Sequence, residues 1–231
     1  CATIQVETSM GKLIPQLTVL PPSQRRLWPE LASTPRDFVL YGGTALALRL
    51  GHRTSVDFDF FSTVKFDPDE LMREVPYLHG AERVHIDQNT LTCRVDRDGP
   101  VLISFFGDLQ LGQVSPPDQA QGVALSIASL LDIAGTKLAV IQKRAELKDY
   151  VDLDALLNHG IALGQALAAG KVVYGRAFNP LIALKALCYF GDVPKLSDPI
   201  RERLRLASAV VDVTKLPVLT AYRNRREWKP S

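Results

Sequence analysis

The chain has little cysteine: Cys1, Cys93 and Cys188 are the three thiols among 231 residues. Three widely separated cysteines do not indicate the disulfide framework of small secreted proteins, so we expect a reducing, cytoplasmic environment. Long apolar runs are also missing, since no uninterrupted stretch approaches the roughly 20 residues of a membrane-spanning helix. We therefore expect no membrane partner.

An excess of charge of either sign is missing as well. Lys and Arg total 27 against 25 Asp and Glu, which gives a net charge of +2. Such a balance creates no bulk attraction to nucleic acid. The C-terminal tract with Arg223, Arg225, Arg226 and Lys229 is the local exception. It could contact RNA, or it could be a solvated tail.

Two glycines end a short apolar run at residues 38–41, which is typical of a strand. Gly42 and Gly43 permit positive φ and close approach of a ligand, and Thr44 then opens a run of good helix formers that ends at Gly51. Backbone N–H groups at the start of such a helix bind phosphate. The segment therefore predicts a phosphate-binding turn.

Two acidic residues follow on a predicted strand, residues 55–62. Alternation places Asp57 and Asp59 on one face, and Val56, Phe58 and Phe60 on the other. Two carboxylates on one face repel each other unless a cation lies between them. They could also simply line a solvated strand face, but together with the upstream turn they indicate metal-assisted phosphoryl chemistry. A phosphatase nucleophile pair is disfavoured, because the preceding residues 53–55 are not a buried apolar strand.

Residues 41–62, YGGTALALRLGHRTSVDFDFFS, resemble the AbiEii/AbiGii group within the polymerase-beta-like nucleotidyltransferase superfamily. This group contains nucleotidyltransferase toxins of abortive-infection and toxin–antitoxin systems. Residues 126–157 are similar to the helical region of the same group. The matching positions there are Lys137, Arg144, Lys148, Asp149 and Asp152.

The resemblance implies a nucleotidyltransferase that moves a nucleoside monophosphate from an NTP to an unknown acceptor, such as RNA or protein, and that is restrained by a cognate antitoxin. Asp57 and Asp59 would hold Mg²⁺ or Mn²⁺. The nucleotide-binding residues would be Gly42, Gly43, Thr44, Arg53 and Lys137. The catalytic residues would be Asp57, Asp59, Lys137, Asp149 and Asp152.

One position departs from the superfamily pattern, which has a third carboxylate on a neighbouring strand. The matching strand is predicted at residues 101–106, where the central polar residue is Ser104. A serine hydroxyl replaces a carboxylate poorly as a base or charged ligand. Either Asp108 or the pair Asp149 and Asp152 supplies the acid, or the chain is a degenerate nucleotide-binding or regulatory module without transfer activity.

The helical residues also have ordinary structural interpretations. Asp149 could cap a helix that Asp152 stabilises near its positive end. Lys137 flanks an apolar helical face and could either reach a phosphate or extend into solvent. Arg144 could extend the same positive surface or be an isolated surface charge.

The whole pattern predicts an α+β fold: a nucleotidyltransferase-like mixed sheet with flanking helices, followed by a mostly helical C-terminal region. We expect an α/β core at residues 1–115 and a helical region at 116–231 that packs over the site. Strands at 90–95 and 101–106 are joined by a turn cluster, and a short helix covers 67–75. Asn179-Pro180 and Ser197-Asp198-Pro199 begin two later helices.

Overall fold

The computed structural model describes residues 11–222, so the predicted basic tract and Cys1 lie outside the described residues. Two compact units divide the chain. The sheet unit contains residues 11–110 and 117–128, and the helical unit contains 111–116 and 129–222. Each unit has its own core.

A mixed sheet of eight strands forms the sheet unit, in the order β1-β7-β8-β2-β3-β6-β5-β4. Parallel pairs (β1–β7, β2–β8 and β3–β6) are combined with antiparallel pairs (β2–β3, β4–β5, β5–β6 and β7–β8). The strands are β1 Lys12–Leu13, β2 Val39–Tyr41, β3 Asp57–Phe61, β4 Glu82–Asp87, β5 Thr90–Asp96, β6 Pro100–Phe106, β7 Asp118–Ala120 and β8 Ser126–Ile127.

One face of the central strands is fully buried. Phe58 and Phe60 of β3 have no exposed surface, and neither have Ile103 and Phe105 of β6. Aromatic contacts extend this core, for example Phe60 stacked on Phe105 with ring centroids 5.1 Å apart. The alternation that buries these side chains turns the intervening residues of β3 and β6 to the opposite face.

Three helices accompany the sheet: α1 Pro22–Leu27, α2 Gly42–Leu50 and α3 Pro68–Glu74. The side chain of Asp67 caps α3 by accepting a hydrogen bond from the N–H of Glu70 at 2.9 Å. Arg49, in the last turn of α2, donates to Asp118 at 2.7 Å and to the carbonyl of Ala128 at 2.8 Å. These contacts tie α2 to β7 and to the end of β8.

The helical unit contains α4 Leu130–Ile141, α5 Leu147–Asn158, α6 Leu163–Tyr174, α7 Pro180–Leu187 and α8 Asp198–Ala209. Small residues allow α4 and α6 to approach closely, because a Cβ on Gly135 would lie 2.8 Å from the backbone nitrogen of Gly170. The Asn179 side chain caps α7 by accepting from the N–H groups of Leu181 and Ile182. Among residues 11–222, no helix is long and apolar enough to cross a membrane.

The α+β fold with a mixed sheet and a helical second half is confirmed. The predicted strands at 90–95 and 101–106 and the short helix after Asp67 are present. Val56, which alternation places with Phe58 and Phe60, is 57% exposed, because β3 begins only at Asp57. The alternation that orients Phe58 and Phe60 does not extend back to that residue.

Candidate active site

The turn from β2 into α2 has the geometry that the glycine pair predicts. Gly42 has φ +74°, a conformation that side-chain-bearing residues adopt only with strain. The helix starts at once, with Tyr41 as its N-cap residue, so the first N–H groups of α2 have no partner within the helix. Gly51 closes the helix with φ +67°, as predicted for a C-terminal glycine cap.

Both glycines are also required by close neighbours. A Cβ on Gly42 would lie 2.7 Å from Oδ2 of Asp59, and a Cβ on Gly43 would collide with the guanidinium of Arg53. The start of α2 therefore lies directly against a carboxylate of β3 on one side and a cation on the other. A triphosphate and a divalent ion require these two chemical groups side by side.

Thr44 fixes this arrangement with its side chain. Its Oγ1 lies 2.8 Å from Oγ of Ser55 and also donates to the carbonyl of Asp57. Thr44 is 1% exposed, so the hydroxyl is committed to the protein. The backbone N–H of Thr44 in the first turn of α2 is the group that can meet a phosphate.

The two carboxylates of β3 share the face of the sheet opposite the aromatic core. Asp57 and Asp59 are half-buried, whereas Phe58 between them is fully buried. In the β2–β3 pair, Tyr41 stands opposite Asp59, which explains why the following glycine meets that carboxylate. The predicted common face of the two aspartates is confirmed.

Ser104 occupies the position predicted from the sequence. In the parallel pair β3–β6 it stands in register with Asp59, and it is 7% exposed. Thr92 of β5 stands next in the same row and donates to Ser104 Oγ at 3.2 Å. Across the sheet, the carboxylate of Asp59 is therefore followed by the hydroxyls of Ser104 and Thr92. Ser104 stands where the superfamily pattern has an acid.

Asp108 does not take the place of that acid. It follows Ser104 by four residues along the chain, beyond the end of β6, and its carboxylate is 3.9 Å from Nζ of Lys65. The register of β6 therefore carries Asp108 away from Asp59, toward the C-terminal end of β3.

The residues present fit one hard cation shared with a phosphate ligand. Within residues 11–222 no three His, Cys, Asp or Glu side chains are grouped as a complete metal site. Mg²⁺, however, is commonly held by one or two carboxylates together with substrate phosphates and water. Asp57, Asp59 and the N–H groups of α2 provide such a donor set.

A separate cluster of charged side chains is buried in the helical unit. Nζ of Lys137 on α4 lies 3.0 Å from Oδ1 of Asp149 and 2.6 Å from Oδ2 of Asp152, both on α5. The carboxylate side chains have no exposed surface, and that of Lys137 is 7% exposed. Arg144 approaches the cluster from outside, with Nε 3.4 Å from Asp149 Oδ2.

This geometry corrects two structural interpretations of the helical residues. Asp149 is not a helix cap, because α5 begins at Leu147 with Glu146 as its N-cap residue. Lys137 does not extend into solvent, because it is enclosed by the two carboxylates. A side-chain cap exists on α4 instead, where Oγ of Ser129 accepts a hydrogen bond from the N–H of Asp132 at 3.1 Å.

Comparison with known proteins decides the family. The profile of the family described as "Nucleotidyl transferase AbiEii toxin, Type IV TA system" matches residues 27–215. The chain belongs to this family. AbiEii proteins are nucleotidyltransferase toxins that are paired with antitoxins, and they act on nucleoside triphosphates.

Two similar proteins illustrate how far the sequence and the fold are shared. A protein of Aquifex aeolicus (strain VF5), uncharacterized protein aq_aa25, is 34% identical over 159 residues, which cover 68% of this chain and 75% of the relative. The structure of MenT4, nucleotidyltransferase toxin Rv2826c from Mycobacterium tuberculosis H37Rv, shares the fold with a TM-score of 0.59. That alignment covers 83% of each chain at 19% identity.

The predicted AbiEii site residues thus form two groups. Gly42, Gly43, Thr44, Arg53, Asp57 and Asp59 lie together in the sheet unit, and Lys137, Asp149 and Asp152 lie together in the helical unit. That both groups serve one pocket stays a prediction. Sequence reasoning missed Ser55 and Thr92, because no spacing pattern marks a hydroxyl that bonds to another hydroxyl 11 or 12 residues away in the chain.

Proposed function

We propose that this AbiEii nucleotidyltransferase moves a nucleoside monophosphate from an NTP to an acceptor in a reaction that depends on Mg²⁺ or Mn²⁺. The observation that carries the proposal is the contact between Gly42 and Asp59, which puts the start of a helix against a carboxylate. Phosphate oxygens and a cation can therefore be bound side by side.

The residues of the sheet unit then have distinct roles. Backbone N–H groups of Gly43 and Thr44 bind the β- and γ-phosphates, and the guanidinium of Arg53 neutralises part of their charge. Asp57 and Asp59 hold the cation, which when bound stabilises the charge that develops on the transferred phosphoryl group. The acceptor hydroxyl attacks the α-phosphate, and pyrophosphate leaves.

The buried cluster of Lys137, Asp149 and Asp152 in the helical unit contributes a positioned cation. Asp149 and Asp152 both pair with Lys137 and fix the direction of its ammonium group. We propose that these three residues support the transfer, although the contacts described are with one another. The acceptor offers a hydroxyl group, as RNA, protein and many small molecules do, and the antitoxin limits the toxic activity.

A transfer assay with matched variants tests this function. Purified protein is incubated with labelled NTP, Mg²⁺ and total RNA or protein, and the label on the acceptor is counted. Asp57→Asn and Asp59→Asn should abolish transfer while the circular dichroism spectrum stays unchanged. Asp87→Asn on β4 is the control, because Asp87 is an exposed strand aspartate that contacts the N–H of the adjacent Gln88. Unchanged transfer in either site variant would overturn the assignment.

The row formed by Asp59, Ser104 and Thr92 favours a second candidate, a nucleotide-binding module without transfer activity. Two hydroxyls next to Asp59 supply no base and no additional negative charge. Mg²⁺-dependent NTP binding without transfer to any tested acceptor would support this candidate. Ser104→Asp should then increase Mg²⁺ affinity, because a third carboxylate is placed beside Asp59.

A further inference from the structure

Three aromatic rings continue the sheet face that carries the two carboxylates. Tyr41 of β2 stacks on Phe61 of β3, with centroids 4.9 Å apart and planes 15° apart. Phe106 of β6 stands in register with Phe61 and meets it edge to face at 5.6 Å and 88°. Tyr41 is buried, whereas Phe61 and Phe106 keep part of their surface exposed.

Phe61 and Phe106 lie on one side of the carboxylates, Tyr41 stands beside Asp59, and the phosphate-binding groups lie on the other side. Arg53 and Ser55, the neighbours of Gly43, precede Asp57 in the chain, while Phe61 follows Asp59. Residues two apart on a strand share a face and are separated by about 6.6 Å. From the segment before β3 to the end of β3, the order is therefore the Arg53 guanidinium and the backbone donors, then the carboxylates, then Phe61.

The same order exists within a nucleoside triphosphate. The anionic β- and γ-phosphates stand at one end, the reacting α-phosphate follows, and the ribose and base stand at the other end. When the β- and γ-phosphates lie at Gly43 and Arg53 and the α-phosphate lies at Asp59, the nucleoside extends along β3 in the direction of Phe61. A partly exposed aromatic surface suits this nucleoside, since base-to-ring contacts are favourable for every base.

We propose that Phe61 and Phe106, backed by Tyr41, form the surface that holds the nucleoside of the NTP. The proposal rests on the nucleotidyltransferase function above and adds the orientation of the nucleotide on the sheet. Because Tyr41 stacks on Phe61, the Phe61 ring is held in place before any ligand arrives. The side chains of Phe61 and Phe106 carry no hydrogen-bonding atoms, so these two rings contribute affinity for the nucleoside rather than selection among bases.

Binding of two related ligands tests this orientation. Inorganic tripolyphosphate carries the phosphates without a nucleoside, so the ratio of its Kd to that of ATP with Mg²⁺ isolates the nucleoside contribution. Isothermal titration should show that Phe61→Leu weakens ATP binding about tenfold and leaves tripolyphosphate binding unchanged. Phe106→Leu should act in the same direction. Asp59→Asn should weaken both ligands.

Phe66→Leu is the matched control, because Phe66 is a partly buried aromatic that packs edge to face on Phe38 within the same unit. It should leave both affinities unchanged. An unchanged ratio of the Kd for tripolyphosphate to that for ATP in both Phe61→Leu and Phe106→Leu, with folding verified by circular dichroism, would overturn the nucleoside surface. It would leave the proposed function standing. Failure of the wild-type protein to bind either ligand with Mg²⁺ would instead overturn the proposed function and the inference with it.

Discussion

Replacement of Lys137 by methionine removes the cation that Asp149 and Asp152 share in a buried cluster. Both carboxylate side chains have no exposed surface, so solvent cannot compensate for the lost charge. Removing one partner of a buried ion pair costs about 3–5 kcal/mol. For a domain of this size each kcal/mol lowers Tm by about 2–4 °C, so we expect a decrease of roughly 6–20 °C.

Thermal unfolding followed by circular dichroism measures this loss. Asp149→Asn should cost less, about 1–3 kcal/mol, because Lys137 keeps its partner Asp152 at 2.6 Å. Lys65→Met is the matched control, since Lys65 is 72% exposed and its distance to Asp108 is 3.9 Å. It should change stability by less than about 0.5 kcal/mol. If Lys137→Met unfolds at the temperature of Lys65→Met, the reasoning from buried charge is refuted.

The remaining predictions concern packing, thiol reactivity and pH. Gly135→Ala should cost about 1–3 kcal/mol in chemical denaturation, because the added methyl meets the backbone of a facing helix. Burial raises the pKa of Cys93 to about 11, so iodoacetamide at pH 8 should modify exposed Cys188 and spare Cys93 until unfolding, as read by peptide mass spectrometry. The hydrogen bond from Arg97 lowers the pKa of Glu30, so the ionised form of Glu30 stabilises the fold at pH values above its unfolded pKa. Glu30→Gln should lower the free energy of unfolding, measured by urea denaturation at pH 7, by less than about 1 kcal/mol, and this difference should vanish as pH falls through the lowered pKa. An equal loss at pH 3 would contradict this account of Glu30.

Local signals explain which elements could be predicted. The hairpin of β5 and β6 was predictable because a turn cluster separates two apolar alternations, and α3 because Asp67 caps it. Strand β4 was missed because its alternation consists of only two apolar residues, Val84 and Ile86, and both are exposed at the edge of the sheet. Short strands such as β1 and β8 contain two residues each and are defined by their partners, not by their own sequence.

The site residues also divide into those that local sequence predicts and those that depend on contacts between separate elements. Gly42, Asp57 and Asp59 belong to one short segment, so spacing in the sequence corresponds to proximity in space. The enclosure of Lys137 depends on two different helices meeting face to face. No periodicity within α4 contains that information, which is why solvent exposure and phosphate contact remained open for this lysine.

The glycine pair shows why the motif is more than a flexible turn. Gly42 must adopt a positive φ and must also leave space for Asp59, while Gly43 must leave space for Arg53. A side chain at either position would push a carboxylate or a guanidinium away from the start of α2. The same two residues therefore set the path of the backbone and the distance between the phosphate donors and the cation ligands. For this reason the two halves of the motif have a functional meaning together that neither has alone.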